Sequence, residues 1–404
     1  MTEASSFPPH RTAALERLSD FVPRAGRAYA AGRNTDAGPG QHKAVSGLSP
    51  YIRCRLVTET EVLQAVLGRH SATAAEKFVQ EVFWRTYWKG WLELRPGIWA
   101  AYLAEGARDW DAVQTQTGLR ARWEAACLGE TSIDCFDSWA KELTATGYLH
   151  NHARMWFASI WIFTLQLPWA LGADFFLRHL LDGDPASNTL GWRWVAGLQT
   201  HGKTYLARPD NITRFTNGRF VPSKGQLASQ ALPLDRPPPP APRALPGPAD
   251  LPTTGRTGLL LHAEDLAPEF LLAQCTPDHA ACLTAMPPSG PLTTAPQVDD
   301  FRKAAVRDAA ARWSERLGGA PVEVESADAV LEWAKREKLD RIATPYAPVG
   351  AVAATLSAVA ALPGAPPIIP VMRTYDRMAW PHATKGFFPF KAKIPSFLDQ
   401  LGLC

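Results

Sequence analysis

The part of the sequence richest in chemically useful side chains is residues 182–194, Asp-Gly-Asp-Pro-Ala-Ser-Asn-Thr-Leu-Gly-Trp-Arg-Trp. Two carboxylates, one amide and two indoles fall in this run, namely Asp182, Asp184, Asn188, Trp192 and Trp194. Carboxylates and an amide can hydrogen-bond a polar cofactor, and indoles can stack on it or relay electrons to it. A calcium loop would need a glutamate at its twelfth position, where the sequence has Arg193. The run therefore predicts a cofactor site.

Two upstream segments also carry polar side chains at useful spacings. In residues 45–52, Val-Ser-Gly-Leu-Ser-Pro-Tyr-Ile, small hydroxyl residues ahead of a helix offer donors to an anion, although an ordinary helix cap has the same pattern. In residues 78–85, Phe-Val-Gln-Glu-Val-Phe-Trp-Arg, helical spacing puts Glu81, Trp84 and Arg85 on one face. The alternative for this face is a surface ion pair beside a buried aromatic stripe.

A fourth segment extends from residue 129 to residue 155. It begins Gly-Glu-Thr, continues through Asp137 and Gly147, and ends in His-Asn-His-Ala-Arg-Met. In their order along the chain, from residue 45 to residue 194, the four segments resemble the FAD-binding domain of the DNA photolyase/cryptochrome family. The family patterns are Thr-Ser-x-Leu-Ser-Pro-Tyr-Leu, Glu-x-x-Trp-Arg and Gly-x-Thr-Gly…Asp…Gly-x-x-His-Asn-Arg-x-Arg-Met.

The sequence departs from the family patterns at several positions. Val45 replaces a threonine, Phe78 replaces a frequent tryptophan, and His152 replaces an arginine. Upstream, Tyr29 and Arg33 match a family Tyr-x-x-x-Arg, followed here by a glycine-rich insertion around residues 38–40.

The resemblance implies that FAD is the cofactor, with Asn188 facing the flavin N5. The cofactor-binding residues that it implies are Tyr29, Ser46, Gly47, Leu48, Ser49, Phe78, Glu81, Arg85, Asn151, Arg154, Asp182, Gly183, Asp184 and Asn188. The residues that it implies for damaged DNA are Arg33, Glu81, Trp84, Asn151, His152, Met155 and Trp194.

Tryptophan is concentrated in this part of the chain, because twelve of the fifteen lie between Trp84 and Trp194. A large aromatic core would explain the number. The resemblance adds an electron path in which Trp192 is next to the flavin and Trp169 is the middle member. The third position falls near Gln116, so Trp110 or another nearby indole is the candidate substitute.

By resemblance the protein is expected to be a light-driven DNA repair enzyme that splits cyclobutane pyrimidine dimers. An electron from photoexcited reduced FAD would start this reaction, and Trp192, Trp169 and Asn188 would be its catalytic residues. The alternative is a cryptochrome-like blue-light photoreceptor without repair activity, acting on a signalling partner. A redox or structural flavoprotein without photochemistry is a third, weaker alternative.

Three regions are expected along the chain. Residues 1–220 predict an all-α domain, because helical periodicity dominates and strand patterns are scarce, and the resemblance implies that this domain binds FAD. Residues 221–256 predict a stiff linker, with the run Arg-Pro-Pro-Pro-Pro-Ala-Pro beginning at Arg236. Residues 257–404 predict a Rossmann-like, doubly wound α/β domain, because short apolar strands alternate with helices.

Family members carry an α/β antenna domain before the helical domain, whereas here the α/β region follows it. The segment Gly-Phe-Phe-Pro-Phe-Lys at residues 386–391 is similar to the family's Gly-x-Tyr-x-Val-Phe-Thr-Pro-Phe. We therefore expect a circular permutation, the alternative being fusion of an unrelated α/β domain. The resemblance also raises a second, antenna chromophore, a folate or a deazaflavin.

Bulk properties bound the remaining expectations. A net charge of +3 permits a local nucleic-acid surface without requiring one. The six cysteines, among them Cys404, have no C-x-x-C spacing, so no metal site is expected. Scattered cysteines, the absence of a signal-peptide pattern and the absence of a membrane-spanning stretch predict a cytoplasmic protein, and we expect a monomer.

Overall fold

The computed structural model of the protein describes residues 7–200, 202–234, 237–249 and 251–403. A long helical part comes first, and strands alternate with helices after it. Arg236 of the predicted linker and Cys404 lie outside the described residues. Within the described ranges, no helix combines the length and the apolar character needed to cross a membrane.

The helical part contains twelve α-helices in its described residues. They are α1 (Arg11–Phe21), α2 (Arg27–Gly32), α3 (Ser49–Arg53), α4 (Glu59–Leu67), α5 (Ala72–Glu93), α6 (Gly97–Thr115), α7 (Thr117–Leu128), α8 (Asp134–Thr146), α9 (Asn151–Ser159), α10 (Trp169–His179), α11 (Pro185–Val195) and α12 (Pro209–Phe215). A single π-helical turn, Ile160–Thr164, follows α9.

Local sequence signals explain where α4 and α5 begin. α4 starts with a capping box, in which Glu61 N donates to the Thr58 hydroxyl and Thr58 N donates to the Glu61 carboxylate. The hydroxyl of Ser71 accepts a hydrogen bond from Ala74 N and starts α5. The helical spacing predicted for residues 78–85 is confirmed, because these residues lie within α5.

The second part is built on a five-stranded parallel sheet. Its strands are β1 (Thr257–His262), β2 (His279–Leu283), β3 (Val322–Val324), β4 (Arg341–Pro345) and β5 (Ile368–Val371). The spatial order is β3-β2-β1-β4-β5, and every pair is parallel. The connecting helices are α13 (Glu269–Leu272), α14 (Pro296–Trp313), α15 (Ala327–Arg336) and α16 (Ala351–Ala361). The predicted parallel sheet is confirmed.

Side chains of the sheet alternate between two cores. Leu259 and Leu261 belong to the large core that contains α14 and most of the helical part. Leu260 belongs to a smaller core formed with α15 and α16. Because strand side chains alternate with a period of two, one face of the sheet packs towards the helical part and the other is covered by its own helices.

The chain ends in three helices that pack onto α5, namely α17 (Thr374–Ala379), α18 (Phe387–Lys391) and α19 (Ile394–Gln400). Phe83 of α5 lies with its ring centroid 5.8 Å from that of Phe397 and 6.0 Å from that of Tyr375. Gly90 of α5 lies directly against Trp380, where a β-carbon would come within 2.8 Å of the Trp380 Cα. The end of the chain is therefore built onto the helical part.

Between Phe215 and Thr257 the described residues contain no helix or strand. This is where the prediction puts the linker, although the exact division of the chain at residues 220 and 256 stays a prediction. The origin of the sheet domain by permutation also stays a prediction.

Candidate functional site

An arginine–carboxylate pair joins α9 to the loop before α11. Arg154 donates from Nη1 and Nη2 to the two carboxylate oxygens of Asp182, at 3.0 and 2.9 Å. Its Nε donates to the Leu149 carbonyl at 2.8 Å. Such bidentate geometry fixes both side chains. Two residues predicted as cofactor ligands from separate motifs are therefore brought together.

Asp184 is the second carboxylate of the motif and begins α11. One of its oxygens accepts from Ser187 N at 2.8 Å, and the other faces Lys89 Nζ at 3.2 Å, Arg85 Nη2 at 3.4 Å and Arg53 Nε at 3.7 Å. Burial alone would raise the pKa of Asp184, but the three cations hold it well below its usual range. Asp184 is therefore ionised at neutral pH.

The remaining residues of this motif line the contact between α10 and α11. The Asn188 amide donates to the Ala173 carbonyl at 2.7 Å. The Trp192 ring meets Phe176 edge-on at 5.1 Å and Trp161 at 6.2 Å. Gly172 leaves the room for this ring, because a β-carbon there would collide with Trp192. Trp161 was not singled out from the sequence.

The loop that was predicted to offer donors to an anion, at residues 45–48, precedes α3. Gly47 has φ of +61°, a conformation that favours glycine. The Ser46 hydroxyl accepts from Leu48 N at 3.3 Å, and the Leu48 side chain is fully buried. Ser49 is the first residue of α3. The loop is thus held by its own hydrogen bond and by a buried anchor.

A cavity of about 470 Å³ lies beside this loop. Ser46, Gly47 and Tyr148 line it, as do the basic residues Arg17 and Lys43. Neither Asn188 nor Trp192 is among its lining residues. A volume of this size falls in the range of small-molecule and cofactor pockets. Its lining offers the Ser46 hydroxyl, Arg17 and Lys43 to an anion. It also carries the carboxylates of Glu16, Asp20 and Glu142, and the predicted ring-binding residues lie outside it.

Tyr29 and Phe78, two further predicted cofactor contacts, are packed into an aromatic group with Phe21. Their ring centroids lie 5.3 Å apart, and that of Phe78 is 4.9 Å from Phe21. Burial raises the pKa of the Tyr29 hydroxyl, with a further contribution from Glu81. Phe21 lines the cavity, so this group forms part of its wall.

Two polar residues on one face of α5 form ion pairs with different parts of the chain. Glu81 forms an ion pair with Arg33, the residue predicted to contact DNA. Arg85, one turn further along, reaches Asp184. The predicted shared face of Glu81 and Arg85 thus connects the predicted DNA contacts to the predicted cofactor ligands.

Trp84 was predicted to contact damaged DNA, but one face of its ring is covered. Its ring stacks on Phe387 of α18 with centroids 3.5 Å apart and planes within 10°. Trp88 lies 5.4 Å from it. Helical spacing could not reveal this contact, because Phe387 is some 300 residues away in sequence.

His152 differs most from its predicted role as a DNA contact. It is 7% exposed, and its ring stacks on Trp156 at 4.1 Å. Its Nδ1 is 2.9 Å from the Asn34 carbonyl and its Nε2 is 3.3 Å from the Tyr205 hydroxyl. Burial lowers the pKa of His152, which leaves the ring neutral. The residue is built into the interior rather than presented to a ligand.

Asn151 and Met155 differ from His152, because Asn151 is exposed and Met155 is half-buried. Trp194 is also half-buried and lies 5.5 Å from the Tyr205 ring, with the planes 30° apart. These three predicted DNA contacts are therefore accessible at least in part.

Trp169, the predicted middle member of the electron path, is 2% exposed, and its Nε1 donates to Glu105 at 3.0 Å. Its ring lies 5.7 Å from Tyr102, which lies 5.1 Å from Trp99. Trp110, the substitute named from the sequence, instead pairs with Trp123 at 5.2 Å. An aromatic series therefore leads from Trp169 to Trp99.

One cluster of side chains in the described residues could in principle bind a metal ion, although no metal site was predicted. In the described residues, ligand atoms of Asp36, His42 and Glu142 lie within 4.8 Å of one another. His42 Nε2 is 3.0 Å from Glu142, while Asp36 already accepts from Arg219 and Trp139. The His42 ring lies between two carboxylates, and Asp36 is also paired with Arg219. These polar contacts explain why the three side chains lie close together.

The cations and the carboxylate that connect the site to the sheet belong to none of the sequence motifs. Arg53 donates to the Glu264 carboxylate at 2.7 and 2.6 Å, and Lys89 Nζ lies 3.5 Å from it. Glu264 follows β1, at the carboxyl edge where the strand order reverses between β1 and β4. Ligands bind at this edge in open α/β sheets, which was the available signal.

Comparison with known proteins finds a family model and relatives to which the helical part is similar. Residues 78–221 match the sequence model described as the FAD binding domain of DNA photolyase. A deoxyribodipyrimidine photo-lyase of Alkalihalophilus pseudofirmus is 31% identical over 213 residues, which cover 52% of this chain and 43% of that protein. The Escherichia coli deoxyribodipyrimidine photo-lyase is 29% identical over 239 residues, covering 57% and 48% respectively. The chain thus matches less than half the length of these relatives.

Solved structures give similar matches. A bacterial class III photolyase from Agrobacterium tumefaciens is 28% identical with a TM-score of 0.42, covering 52% of this chain and 43% of its own. A cryptochrome from Synechocystis is 22% identical with a TM-score of 0.42, covering 54% and 45%. Residues 78–221 of this chain are therefore similar to the FAD-binding domain of DNA photolyases, and the similarity spans less than half the length of the relatives named here.

Proposed function

We propose that the protein is a light-driven DNA repair flavoprotein that splits cyclobutane pyrimidine dimers. The observation that carries the proposal is the assembly of Arg154, Asp182 and Asp184 ahead of the helix that bears Trp192, within the segment that matches the family. Relatives named deoxyribodipyrimidine photo-lyase support the same reaction.

FAD would be held at two places. The loop Ser46–Ser49, with Arg17 and Lys43 in the lining of the same cavity, would supply donors and positive charge for the pyrophosphate. Arg154, Asp182, Asp184 and Asn188 would hold the flavin ring and its ribityl chain. When bound, reduced and excited by blue light, the cofactor supplies one electron to the dimer.

Protein residues contribute a fixed electrostatic environment. Asp184 stays ionised between Lys89, Arg85 and Arg53, and Asp182 stays oriented by Arg154. These charges are paired and buried, so they need no rearrangement of water when charge moves nearby. The dense aromatic packing around Trp192 excludes water from the same region.

The substrate pocket would be formed by half-exposed residues on α5, α9 and α11. An extruded dimer must leave the duplex stack, and aromatic walls offer a replacement for the stacking that it loses. Trp84 and Trp194 provide such walls, while Glu81, Asn151 and Met155 provide polar and apolar contacts. His152 would act through packing, since it is buried.

Electrons that restore the reduced cofactor would pass along Trp192 and Trp169. We propose that Tyr102 and Trp99 complete this path in place of Trp110, because the Tyr102 ring lies 5.7 Å from that of Trp169 and 5.1 Å from that of Trp99.

The sheet domain would correspond to the family's antenna domain in permuted order. The crevice at its carboxyl edge, lined by Arg53, Gly183, Glu264 and Arg302, has a volume of only about 30 Å³. Cofactor pockets measure roughly 300–1,000 Å³. A folate or a deazaflavin does not fit in this crevice.

One observation favours the second candidate, a cryptochrome-like photoreceptor. Phe387 covers one face of Trp84, a wall of the proposed lesion pocket. A protein that no longer bound lesions could keep such a contact without loss.

The test is light-dependent loss of cyclobutane dimers from ultraviolet-irradiated DNA, measured with the flavin reduced and compared with a dark sample. Repair under blue light supports the enzyme, with Asp182→Asn as the inactive control and Asp210→Asn, an exposed position, as the active control. Flavin binding and photoreduction without dimer loss would instead favour the photoreceptor. A colourless protein that takes up no FAD on reconstitution would contradict both.

A further inference from the structure

A buried group of four charged side chains connects the sheet to the cofactor site. It consists of Arg53, Lys89, Asp184 and Glu264, which are each between 2% and 5% exposed. Asp184 is a predicted flavin ligand, whereas Glu264 lies just beyond the end of β1. Arg302 lines the adjoining crevice and adds a further cation. Because bulk water does not reach these groups, each charge acts on its neighbours with little screening.

Glu264 binds both terminal nitrogens of Arg53. Arg53 Nη1 and Nη2 donate to the two carboxylate oxygens of Glu264 at 2.7 and 2.6 Å. The remaining donor, Arg53 Nε, donates to the Gly183 carbonyl at 2.9 Å and lies 3.7 Å from Asp184 Oδ2. Such two-point pairing fixes the direction of a guanidinium group. Glu264 therefore holds Arg53 in an orientation that keeps both of its terminal nitrogens away from Asp184.

Lys89 is shared between the same two carboxylates. Its Nζ lies 3.2 Å from Asp184 Oδ2 and 3.5 Å from Glu264 Oε2. A third cation, Arg85, faces Asp184 at 3.4 Å. A carboxylate offers about four acceptor positions, and one oxygen of Asp184 already accepts from Ser187 N. Because Glu264 takes up part of the cationic charge, Asp184 keeps an acceptor position for a ligand.

The position of Glu264 is fixed by the sheet and not by the cofactor loop. Glu264 N donates to His262 Nδ1 at 3.3 Å, and His262 Nε2 lies 2.9 Å from the Pro345 carbonyl of β4. Leu266 N donates to the Cys54 carbonyl at 2.9 Å, which connects the same turn to the end of α3. The carboxylate of Glu264 therefore projects towards the flavin site from a rigid base.

We propose that Glu264 is a positioning residue of the flavin site, through which the sheet domain sets the charge and the acceptor capacity around Asp184. The inference rests on the proposed function, because it takes FAD as the ligand of Asp184. Glu264 acts through Arg53 and Lys89, and its negative charge offsets one cation near the ring. Positive charge stabilises a reduced, anionic flavin, so Glu264 keeps the reduction potential lower than the cations alone would. A lower potential makes the reduced cofactor a stronger electron donor.

The experiment uses the full chain, freed of flavin and reconstituted with FAD. The dissociation constant of FAD is measured by quenching of flavin fluorescence, and the midpoint potential of the bound flavin by titration against dyes of known potential. Glu264→Gln is expected to shift the balance towards the reduced flavin about tenfold, which corresponds to a potential about 59 mV more positive for one electron. It is also expected to weaken FAD binding about tenfold, because Arg53 then turns to Asp184 and occupies its acceptor position.

Two comparisons separate positioning from general support of the fold. Arg53→Gln removes a group through which Glu264 acts, so adding Glu264→Gln to it should restore the native charge and change the dissociation constant of FAD by less than about threefold. Asp265→Asn is the matched control, because Asp265 is similarly buried and pairs with Arg55 and Arg373 rather than with a cation of the flavin site. It should lower the stability in urea and leave the potential unchanged.

A second variant keeps the test decisive if Glu264→Gln does not fold. Glu264→Asp retains the charge but withdraws it from Arg53 by one methylene group. It should keep the native potential and bind FAD more weakly than the native chain does. A native affinity for FAD in Glu264→Asp would overturn the positioning role.

The outcomes distinguish this role from the proposed function. A native potential and a native FAD affinity in Glu264→Gln would overturn the positioning role and leave repair standing. A loss of stability like that of Asp265→Asn, with no change in potential, would likewise reduce Glu264 to a structural residue. A shifted potential in a protein that removes no dimers under blue light would support the role of Glu264 and count against repair. If the native chain bound no FAD, both would fall.

Discussion

Arg154 and Asp182 form a two-point hydrogen bond, at 3.0 and 2.9 Å, between the start of α9 and the loop that precedes α11. The pair connects two motifs that lie 28 residues apart and sets the position of the chain just ahead of Asp184. The site therefore depends on an interaction that can be removed with a single isosteric substitution.

Replacing Asp182 by asparagine should weaken both the fold and flavin retention. Asn keeps the shape but cannot pair with both nitrogens of the Arg154 cation, and losing a hydrogen bond to a charged group costs about 2 kcal/mol. We expect the free energy of unfolding in urea to fall by roughly that amount, together with the visible flavin absorbance per protein. Asp210→Asn, whose ion pair with Arg208 is exposed, should change neither. Equal flavin content in both variants would contradict the assignment.

Stability should decline in acid partly through Glu264. Burial opposes its ionisation, but Arg53 and Lys89 hold the pKa of Glu264 at about 2, below its ordinary value of 4.5. A carboxyl whose folded pKa is lowered contributes stability above its unfolded pKa, and this contribution is lost as the pH falls from about 4.5 towards 2. Urea unfolding measured across this range should show a shallower decline for Glu264→Gln than for the native chain. Glu124→Gln, in an exposed pair with Arg120, should follow the native profile.

Trp192 and Trp99 should both lie on the electron path. Trp192→Phe is expected to slow or abolish blue-light reduction of the bound flavin, because phenylalanine is not oxidised at accessible potentials. Trp99→Phe should slow it too, whereas Trp110→Phe, off the series from Trp169, should leave it unchanged. Flavin content, measured separately, shows whether the cofactor is still bound. If Trp110→Phe alone slowed the reaction, the path through Tyr102 would be wrong.

Gly172→Ala should disturb the seat of Trp192. A β-carbon there would collide with the Trp192 ring and come within 2.9 Å of Trp161 Cε2. Overpacking of this kind costs about 1–3 kcal/mol, so we expect a lower midpoint of unfolding in urea. The comparison is Gly106→Ala on α6, where nothing lies within 4 Å of the new methyl group and helix propensity favours alanine. A Gly172→Ala protein as stable as Gly106→Ala would show that α10 and α11 can separate freely.

The sequence by itself determined the elements and the local sets of site residues. Periodicity predicted the helical first part of the chain, and short apolar runs predicted the parallel strands of the second part. Motif spacing placed Asp182, Asp184 and Asn188 within one short stretch of chain. These are short-range properties, which helical and strand geometry dictate without knowledge of the rest of the fold.

Only the tertiary structure decided which groups meet across the chain. Lys89 serves Asp184 and Glu264 together, Phe387 covers Trp84, and His152 is buried under Tyr205. None of these contacts has a local signal, because each joins residues that lie far apart in sequence. Buried charges have to find partners wherever packing brings them. The partners in these contacts therefore lie 53 to some 300 residues apart in sequence and meet only through packing.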